Sequence, residues 1–196
     1  MSAAGMNARL MKLGIPVVFQ NIIIGVGGLV VQYVINGYGF LFVAGFTATN
    51  KLYGLLEMAA ISYGYAIVTY VGQNLGAGRL DRITKGVVDA SVCGFVCAGV
   101  LYGVVLLFGE PLVGIFLDEP DPQVIEYAIR FLNVVCAGYC LLTLVNVVRF
   151  SIQGMGFSML AILSGVMEML ARSAAGLLIA PRIGFTAVAL CHPLAW

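Results

Sequence analysis

The sequence predicts an all-α, polytopic bundle of transmembrane helices, and three observations support this fold class. Residues 13–50 contain no Asp, Glu, Lys or Arg, and this run is nearly twice the roughly 20 residues with which an α-helix crosses a bilayer. Apolar residues make up 61% of the chain and charged residues 10%, whereas soluble domains carry about 25% charged residues. Mean hydropathy is +1.03. We therefore expect the chain to lie in the lipid bilayer.

Hydropathy divides the chain into a short cytoplasmic segment, residues 1–12, and a transmembrane bundle, residues 13–196. The uncharged run is interrupted at Asn36-Gly37-Tyr38-Gly39, which predicts a tight turn between two spans. Five complete spans are expected at residues 14–36, 46–73, 86–108, 124–148 and 157–180. A sixth begins near Phe185 and reaches Trp196, which is too short to cross a bilayer. We therefore expect a fragment of a longer protein.

The distribution of basic residues predicts the orientation of the spans. Lys and Arg are enriched in the cytoplasmic loops of membrane proteins, and one set of segments holds most of them: Arg9, Lys12, Arg79, Arg82, Lys85 and Arg149. The other side holds Arg182 and an acidic loop, residues 109–123, in which Asp121-Pro122 is typical of a helix start. The expected location is the plasma (inner) membrane, with a cytoplasmic N-terminus. The net charge of +1 gives no indication of a nucleic-acid partner.

Glu57 is the strongest candidate for a functional group within the membrane. It lies about ten residues, or roughly 15 Å, into the second predicted span, where a carboxylate is costly unless it faces a cavity or a partner. A proton-coupled exporter needs such a group, because it can be neutral when empty and charged when it holds a cation. Tyr53 shares its helical face and could donate a hydrogen bond to it or offer its ring to a cation. The alternative is a structural carboxylate that is hydrogen-bonded within the bundle.

Further polar side chains in the spans each allow two interpretations. Lys51 lies on a different helical face from Glu57, so it either extends its ammonium group to the membrane interface or serves a cavity. Glu168 and Arg172 are four residues apart near mid-membrane, which favours a structural ion pair over a gating role. The remaining polar candidates either line a substrate or ion cavity or hydrogen-bond to neighbouring helices; they are Gln20, Asn21, Gln32 and Asn36.

Small residues and cysteines in the spans predict packing rather than chemistry. Gly99 and Gly103 form a G-x-x-x-G pair that favours close helix contact. The five cysteines include two pairs at helical-turn spacing, but without an accompanying histidine they predict no metal site. The single histidine, His192, precedes a proline in the short sixth segment, and we expect no metal-binding or catalytic role for it.

Several segments, in order along the chain, resemble those of the multidrug and toxic compound extrusion (MATE) family of transporters. Residues 71–82, which include Gln73-Asn74-Leu75-Gly76, resemble the signature after the family's eighth helix. The segments similar to the seventh helix, the loops around the tenth and the start of the twelfth are Leu13-Gly14-Ile15-Pro16, Phe116-Leu117-Asp118-Glu119-Pro120, Arg149-Phe150-Ser151-Ile152-Gln153-Gly154 and His192-Pro193-Leu194-Ala195-Trp196. The resemblance extends over residues 13–196.

The resemblance implies the C-terminal six-helix lobe of a twelve-helix antiporter, without most of its last helix. The implied function is multidrug efflux: small organic, often cationic, compounds leave in exchange for protons or sodium ions, and no cofactor is implied. The implied partner is the missing N-terminal lobe. The family's acidic residues in the seventh helix and deep in the tenth have no counterpart here, which argues against a sodium site between those helices. Coupling would then depend on Glu57 or on acids of the other lobe.

Two alternatives to this function remain. The chain could be a half-size transporter that pairs with a second copy as a homodimer. It could also be a non-transporting membrane scaffold or a lipid flippase subunit. None of these alternatives is an enzyme.

Overall fold

The structure is a computed structural model that describes residues 3–117, 121–183 and 185–196, and these residues are almost entirely helical. Its α-helices are α1 (Ala3–Asn36), α2 (Phe40–Gly76), α3 (Leu80–Gly114), α4 (Pro122–Ala137), α5 (Tyr139–Gly154), α6 (Ser158–Ala174), α7 (Ala180–Ile183) and α8 (Phe185–Leu190). A π-helical turn, Ala175–Ile179, joins α6 to α7, and a 3₁₀ turn, Pro193–Ala195, follows α8. The all-α fold class is confirmed.

Four spans form as long apolar helices, at Gly5–Asn36, Phe40–Gly76, Leu80–Gly114 and Ser158–Arg182. The fifth is the pair α4 and α5, which are bent by 48° where they meet. The sequence predicted one continuous span here, and the break lies at Gly138. A Cβ atom at Gly138 would lie 3.0 Å from Cβ of Pro193 and 3.0 Å from a ring carbon of Trp196. The break therefore accommodates a segment that lies more than 50 residues further along the chain.

The turns between helices follow the local sequence signals. The helix α2 ends at Gly76, and Gly78 then adopts a φ of +69°, which L side chains rarely adopt. The Arg79 amide donates to the Asn74 carbonyl at 2.8 Å and completes this helix end. The predicted cap of α4 is confirmed, because the Asp121 carboxylate accepts a hydrogen bond from the Gln123 amide at 2.8 Å. The acidic residues Asp118 and Glu119 of the same loop lie outside the described residues.

The bundle is organised around α2, which packs against α3, α4 and α5, while α1 packs mainly against α6. Tyr139, Phe131 and Leu132 are among the large side chains that are fully buried in this core. Close helix approach occurs at Gly154, where an added Cβ would lie 2.7 Å from the Val68 carbonyl oxygen. The prediction for the G-x-x-x-G pair was wrong within the described chain. A Cβ at Gly99 or Gly103 would meet no atom of the described residues within 4 Å.

Candidate functional site

Glu57 lies near the middle of α2 and lines two cavities of the bundle. The first, of about 160 Å³, is called the Gln20 cavity here, and its polar lining consists of Gln20, Asn21, Glu57, Tyr65, Asn146, Arg149, Gln153 and Glu168. The second, of about 420 Å³, is called the Arg172 cavity, and its polar lining consists of Gln32, Asn50, Tyr53, Glu57, Arg172 and His192. Glu57 is the only ionisable side chain that lines both cavities among the described residues. Its carboxyl group therefore has polar surroundings on two sides.

Glu168 accepts charge-assisted hydrogen bonds from two arginines at once. Nη2 of Arg172 lies 2.7 Å from Glu168 Oε1, and Nη2 of Arg149 lies 2.7 Å from Glu168 Oε2. The three side chains are about nine-tenths buried. Arg149 also donates from Nε to Ser164 Oγ at 2.9 Å. These bonds join α5 to α6 by a buried charge cluster.

The position of Arg149 corrects one step of the sequence analysis. We counted it among the charges of a cytoplasmic loop, yet it lies within α5, and its guanidinium group turns toward α6 to meet Glu168. A buried carboxylate oxygen that lacks a partner attracts an arginine strongly, because the hydrogen bond between the two is charge-assisted. The other five basic residues still leave the positive excess on the same side.

The amide side chains predicted in the first span have different surroundings. Gln20 is 2% exposed and accepts a hydrogen bond from Gln153 Nε2 at 2.9 Å, which links α1 to α5. Asn21 lines the same cavity and is exposed. Gln32 lines the Arg172 cavity and donates from Nε2 to Asn36 Oδ1 at 2.9 Å. Asn36 is exposed one turn beyond it and is not among the residues that line either cavity.

Tyr53 and Lys51 are only two residues apart but lie on different sides of α2. Tyr53 is 5% exposed and lines the Arg172 cavity. Glu57 lines the same cavity, and the Tyr53 hydroxyl makes no hydrogen bond to a described residue. Lys51 is exposed and is not among the residues that line either cavity. Of the two, only Tyr53 is therefore placed to act with Glu57.

Six polar residues of these cavities were missed as site candidates: Asn50, Tyr65, Asn146, Arg149, Gln153 and His192. Asn146 could have been found, because it is a polar side chain within the apolar run of the fourth span. His192 could not, since its place depends on how the segment after α8 folds back. It is 6% exposed, and its ring centroid lies 5.2 Å from that of Tyr53 and 5.6 Å from that of Phe131.

A carboxyl group between two polar cavities inside a bundle of membrane spans is an arrangement found in membrane transporters, where buried acids mark ion and substrate pathways. The family profile of MatE matches residues 16–177. The chain therefore belongs to the MatE family, as the motifs indicated. This is a family of transporters and not of enzymes, and the chain is a multi-pass membrane protein.

Known relatives include proteins named for multidrug resistance and for other transport. The chain is 30% identical to "Probable multidrug resistance protein YpnP" of Bacillus subtilis over 59% of its own length and 26% of the relative's. It is 26% identical to "Multidrug export protein MepA" of Staphylococcus aureus over 82% of its length and 36% of the relative's. A Shewanella oneidensis relative, named "FAD transporter", is 24% identical over 67% of the chain and 29% of the relative.

Solved structures share the same fold. An outward-facing multidrug resistance MATE family transporter of the MOP superfamily superposes with a TM-score of 0.86, at 17% identity, over 95% of this chain and 42% of that one. A MOP superfamily transporter from Pyrococcus furiosus gives the same TM-score at 16% identity, over 95% of this chain and 41% of that one. The chain therefore spans less than half the length of these transporters, and about a third of the curated relatives it matches.

Proposed function

We propose that this chain forms one lobe of a transporter that exports small organic compounds in exchange for a proton or a sodium ion. Glu57 is the group that carries the exchanged cation. The observation that carries the proposal is its place near the middle of α2, where it lines both the Gln20 cavity and the Arg172 cavity. A carboxylate inside a membrane protein is costly unless it is hydrated, paired or protonated. Binding and release of a cation at Glu57 would thus be linked to the filling of the adjacent cavities.

The proposed partner of this chain is a second lobe, which corresponds to the N-terminal half of the full-length relatives. The chain covers 26–36% of the relatives' lengths, and the surface of α1 keeps large apolar side chains exposed, among them Phe19, Leu29 and Tyr33. Lipid or a second lobe would cover such a surface. Alternating access would follow from rocking of the two lobes about a shared central cavity. The proposed setting is the plasma membrane, with the N-terminus in the cytoplasm.

The test is gradient-driven efflux by the full-length transporter in vesicles, comparing the wild type with Glu57→Gln. We expect the variant to lose efflux driven by an imposed proton or sodium gradient, because a neutral amide cannot exchange a cation. Glu110→Gln is the matched control, since Glu110 is an exposed carboxylate outside both cavities. Normal efflux by a folded Glu57→Gln protein would show that Glu57 is structural.

Efflux assays in the same vesicles distinguish the one-lobe proposal from the alternative functions. The 196-residue chain reconstituted by itself is expected to export nothing, because the proposed central cavity needs both lobes. Efflux by this chain alone would favour the homodimeric half-transporter. A full-length protein that moves no organic compound under any gradient would favour the scaffold or flippase subunit.

A further inference from the structure

A groove between the end of α3 and the start of α4 contains charged groups of both signs. It has a volume of about 630 Å³ and is called the Arg130 groove here. Its lining consists of Glu110, Pro122, Ile125, Glu126, Ile129, Arg130, Asn133 and Val134. None of these residues lines the Gln20 cavity or the Arg172 cavity. The exchange proposed at Glu57 therefore leaves this groove without a role.

Arg130 is exposed within a membrane span and forms no ion pair with a described residue. It lies about six residues, or roughly 9 Å along the helix, into the span predicted at residues 124–148. Glu126 lies four residues before it, at the spacing of helical ion pairs, yet the two side chains do not pair. A guanidinium group at this depth is costly without an anion. An anion from outside the described chain is therefore expected beside Arg130.

The surroundings of the groove indicate that this anion is the phosphate of a lipid. Leu106, Leu107 and Phe108 of α3 are each more than half exposed, and they lie at the end of the span predicted at residues 86–108. At this depth the acyl chains of a bilayer give way to its headgroups. A guanidinium group binds a phosphate with two parallel, charge-assisted hydrogen bonds. Arg130 therefore lies where a phospholipid presents its phosphate.

Glu126 determines which headgroup fits. It is exposed, and it lies one helical turn closer to the start of α4 than Arg130 does. The groove carries two carboxylates and one guanidinium group, so a lipid with a net negative charge would be repelled. We propose that the Arg130 groove binds phosphatidylethanolamine, with the lipid phosphate on Arg130 and the ammonium group on Glu126. This inference goes beyond the proposed function and does not depend on it.

The experiment measures lipid binding to the purified full-length transporter by native mass spectrometry. The probes are phosphatidylethanolamine, phosphatidylcholine and phosphatidylglycerol with identical acyl chains. Phosphatidylcholine carries N-methyl groups in place of the ammonium hydrogens, and phosphatidylglycerol is anionic. We expect the wild type to bind the first phosphatidylethanolamine molecule about tenfold more tightly than either other lipid, the effect of one hydrogen bond between charged groups. Equal affinities, or tighter binding of phosphatidylglycerol, would overturn the inference.

Glu126→Gln tests the contact with the ammonium group. The variant should bind phosphatidylethanolamine no more tightly than phosphatidylcholine, because the amide cannot pair with the ammonium charge. Asp89→Asn is the matched control, since Asp89 is an exposed carboxylate of α3 outside the groove, and it should keep the preference. Both lipids are compared on the same protein, so their ratio does not depend on the yield of folded transporter. A preference that survives Glu126→Gln contradicts the assignment.

Arg130→Gln tests the contact with the phosphate. It should weaken the binding of phosphatidylethanolamine and of phosphatidylcholine alike, each by about tenfold. Arg182→Gln removes an equal charge from an exposed position outside the groove and should leave both affinities unchanged. Arg130 forms no ion pair with a described residue, so its replacement should not impair folding, which thermal unfolding in detergent checks. Unchanged lipid binding by a folded Arg130→Gln protein would overturn the inference.

Discussion

Two buried arginines share one carboxylate, that of Glu168. The loss of stability expected on replacing each of the three residues depends on this sharing. Arg149 and Arg172 bind the two oxygens of Glu168 separately, both at 2.7 Å. Loss of either arginine leaves Glu168 one partner. Loss of Glu168 leaves two buried guanidinium groups without an anion, apart from the nearby Glu57.

We therefore predict that Glu168→Gln destabilises the full-length transporter more than Arg149→Gln does. Breaking a buried ion pair by removal of one partner costs about 3–5 kcal/mol, and Glu168→Gln should fall in this range. The measurement is thermal unfolding in detergent, and Glu110→Gln is the exposed control. A Glu168→Gln protein as stable as this control would mean that the guanidinium groups are compensated elsewhere.

Among single residues, the sequence could identify polar side chains that are unfavourable in their own apolar segment. It could not identify residues whose burial depends on a partner distant in the chain. A charged or amide side chain in an apolar span stands out by itself, and in this way Glu57, Gln20 and Gln32 were found before their cavities were known. Arg149 and His192 stand close to polar or proline-containing segments, where a charge or an imidazole needs no explanation. Their burial follows from the contact of α5 with α6 and from the fold of the segment after α8.

The contact between α2 and α5 leaves little room for a larger side chain at Gly154. Gly154 of α5 faces the backbone of α2, and an added Cβ would lie 2.7 Å from the Val68 carbonyl oxygen. A backbone atom cannot rotate away as a side chain can. The two helices would have to separate.

We predict that Gly154→Ala destabilises the protein by about 1–3 kcal/mol, the usual cost of overpacking. Gly99→Ala is the matched control, because a Cβ there meets no atom within 4 Å, and alanine favours the helix by up to about 1 kcal/mol. Thermal unfolding should then show a lower Tm for Gly154→Ala and an unchanged or higher Tm for Gly99→Ala. Equal shifts in the two variants would contradict the packing described for α2 and α5.

The spans themselves could be predicted from hydropathy, since every span must bury about 20 apolar residues in lipid. The break between α4 and α5 could not. A glycine within an apolar span is common in membrane helices, so Gly138 carries no local signal of a bend. Pro193 and Trp196 pack against Gly138 at the bend, and only the folded chain shows that they lie there.

For the molecule as a whole, the positive excess predicts the orientation in the membrane. In a background without the five native cysteines, a membrane-impermeant maleimide should label Lys85→Cys only from the cytoplasmic side. Arg182→Cys should be labelled only from the outer side. The segments with the excess of Lys and Arg are expected in the cytoplasm, and Arg182 lies on the side opposite to them. Intact cells and inverted vesicles provide the two directions of access. Labelling with the opposite sidedness would reverse the proposed topology.

The central claim is that Glu57 exchanges a cation against substrate, and its most direct test is ion release on substrate binding. An organic dye that the full-length transporter exports is added to the purified protein in weak buffer, and protons and sodium ions in solution are followed together. Binding linkage predicts about one ion released per dye bound by the wild type and by Glu110→Gln, and none by Glu57→Gln. Equal release by the wild type and by Glu57→Gln would contradict the claim and assign the exchange to another group.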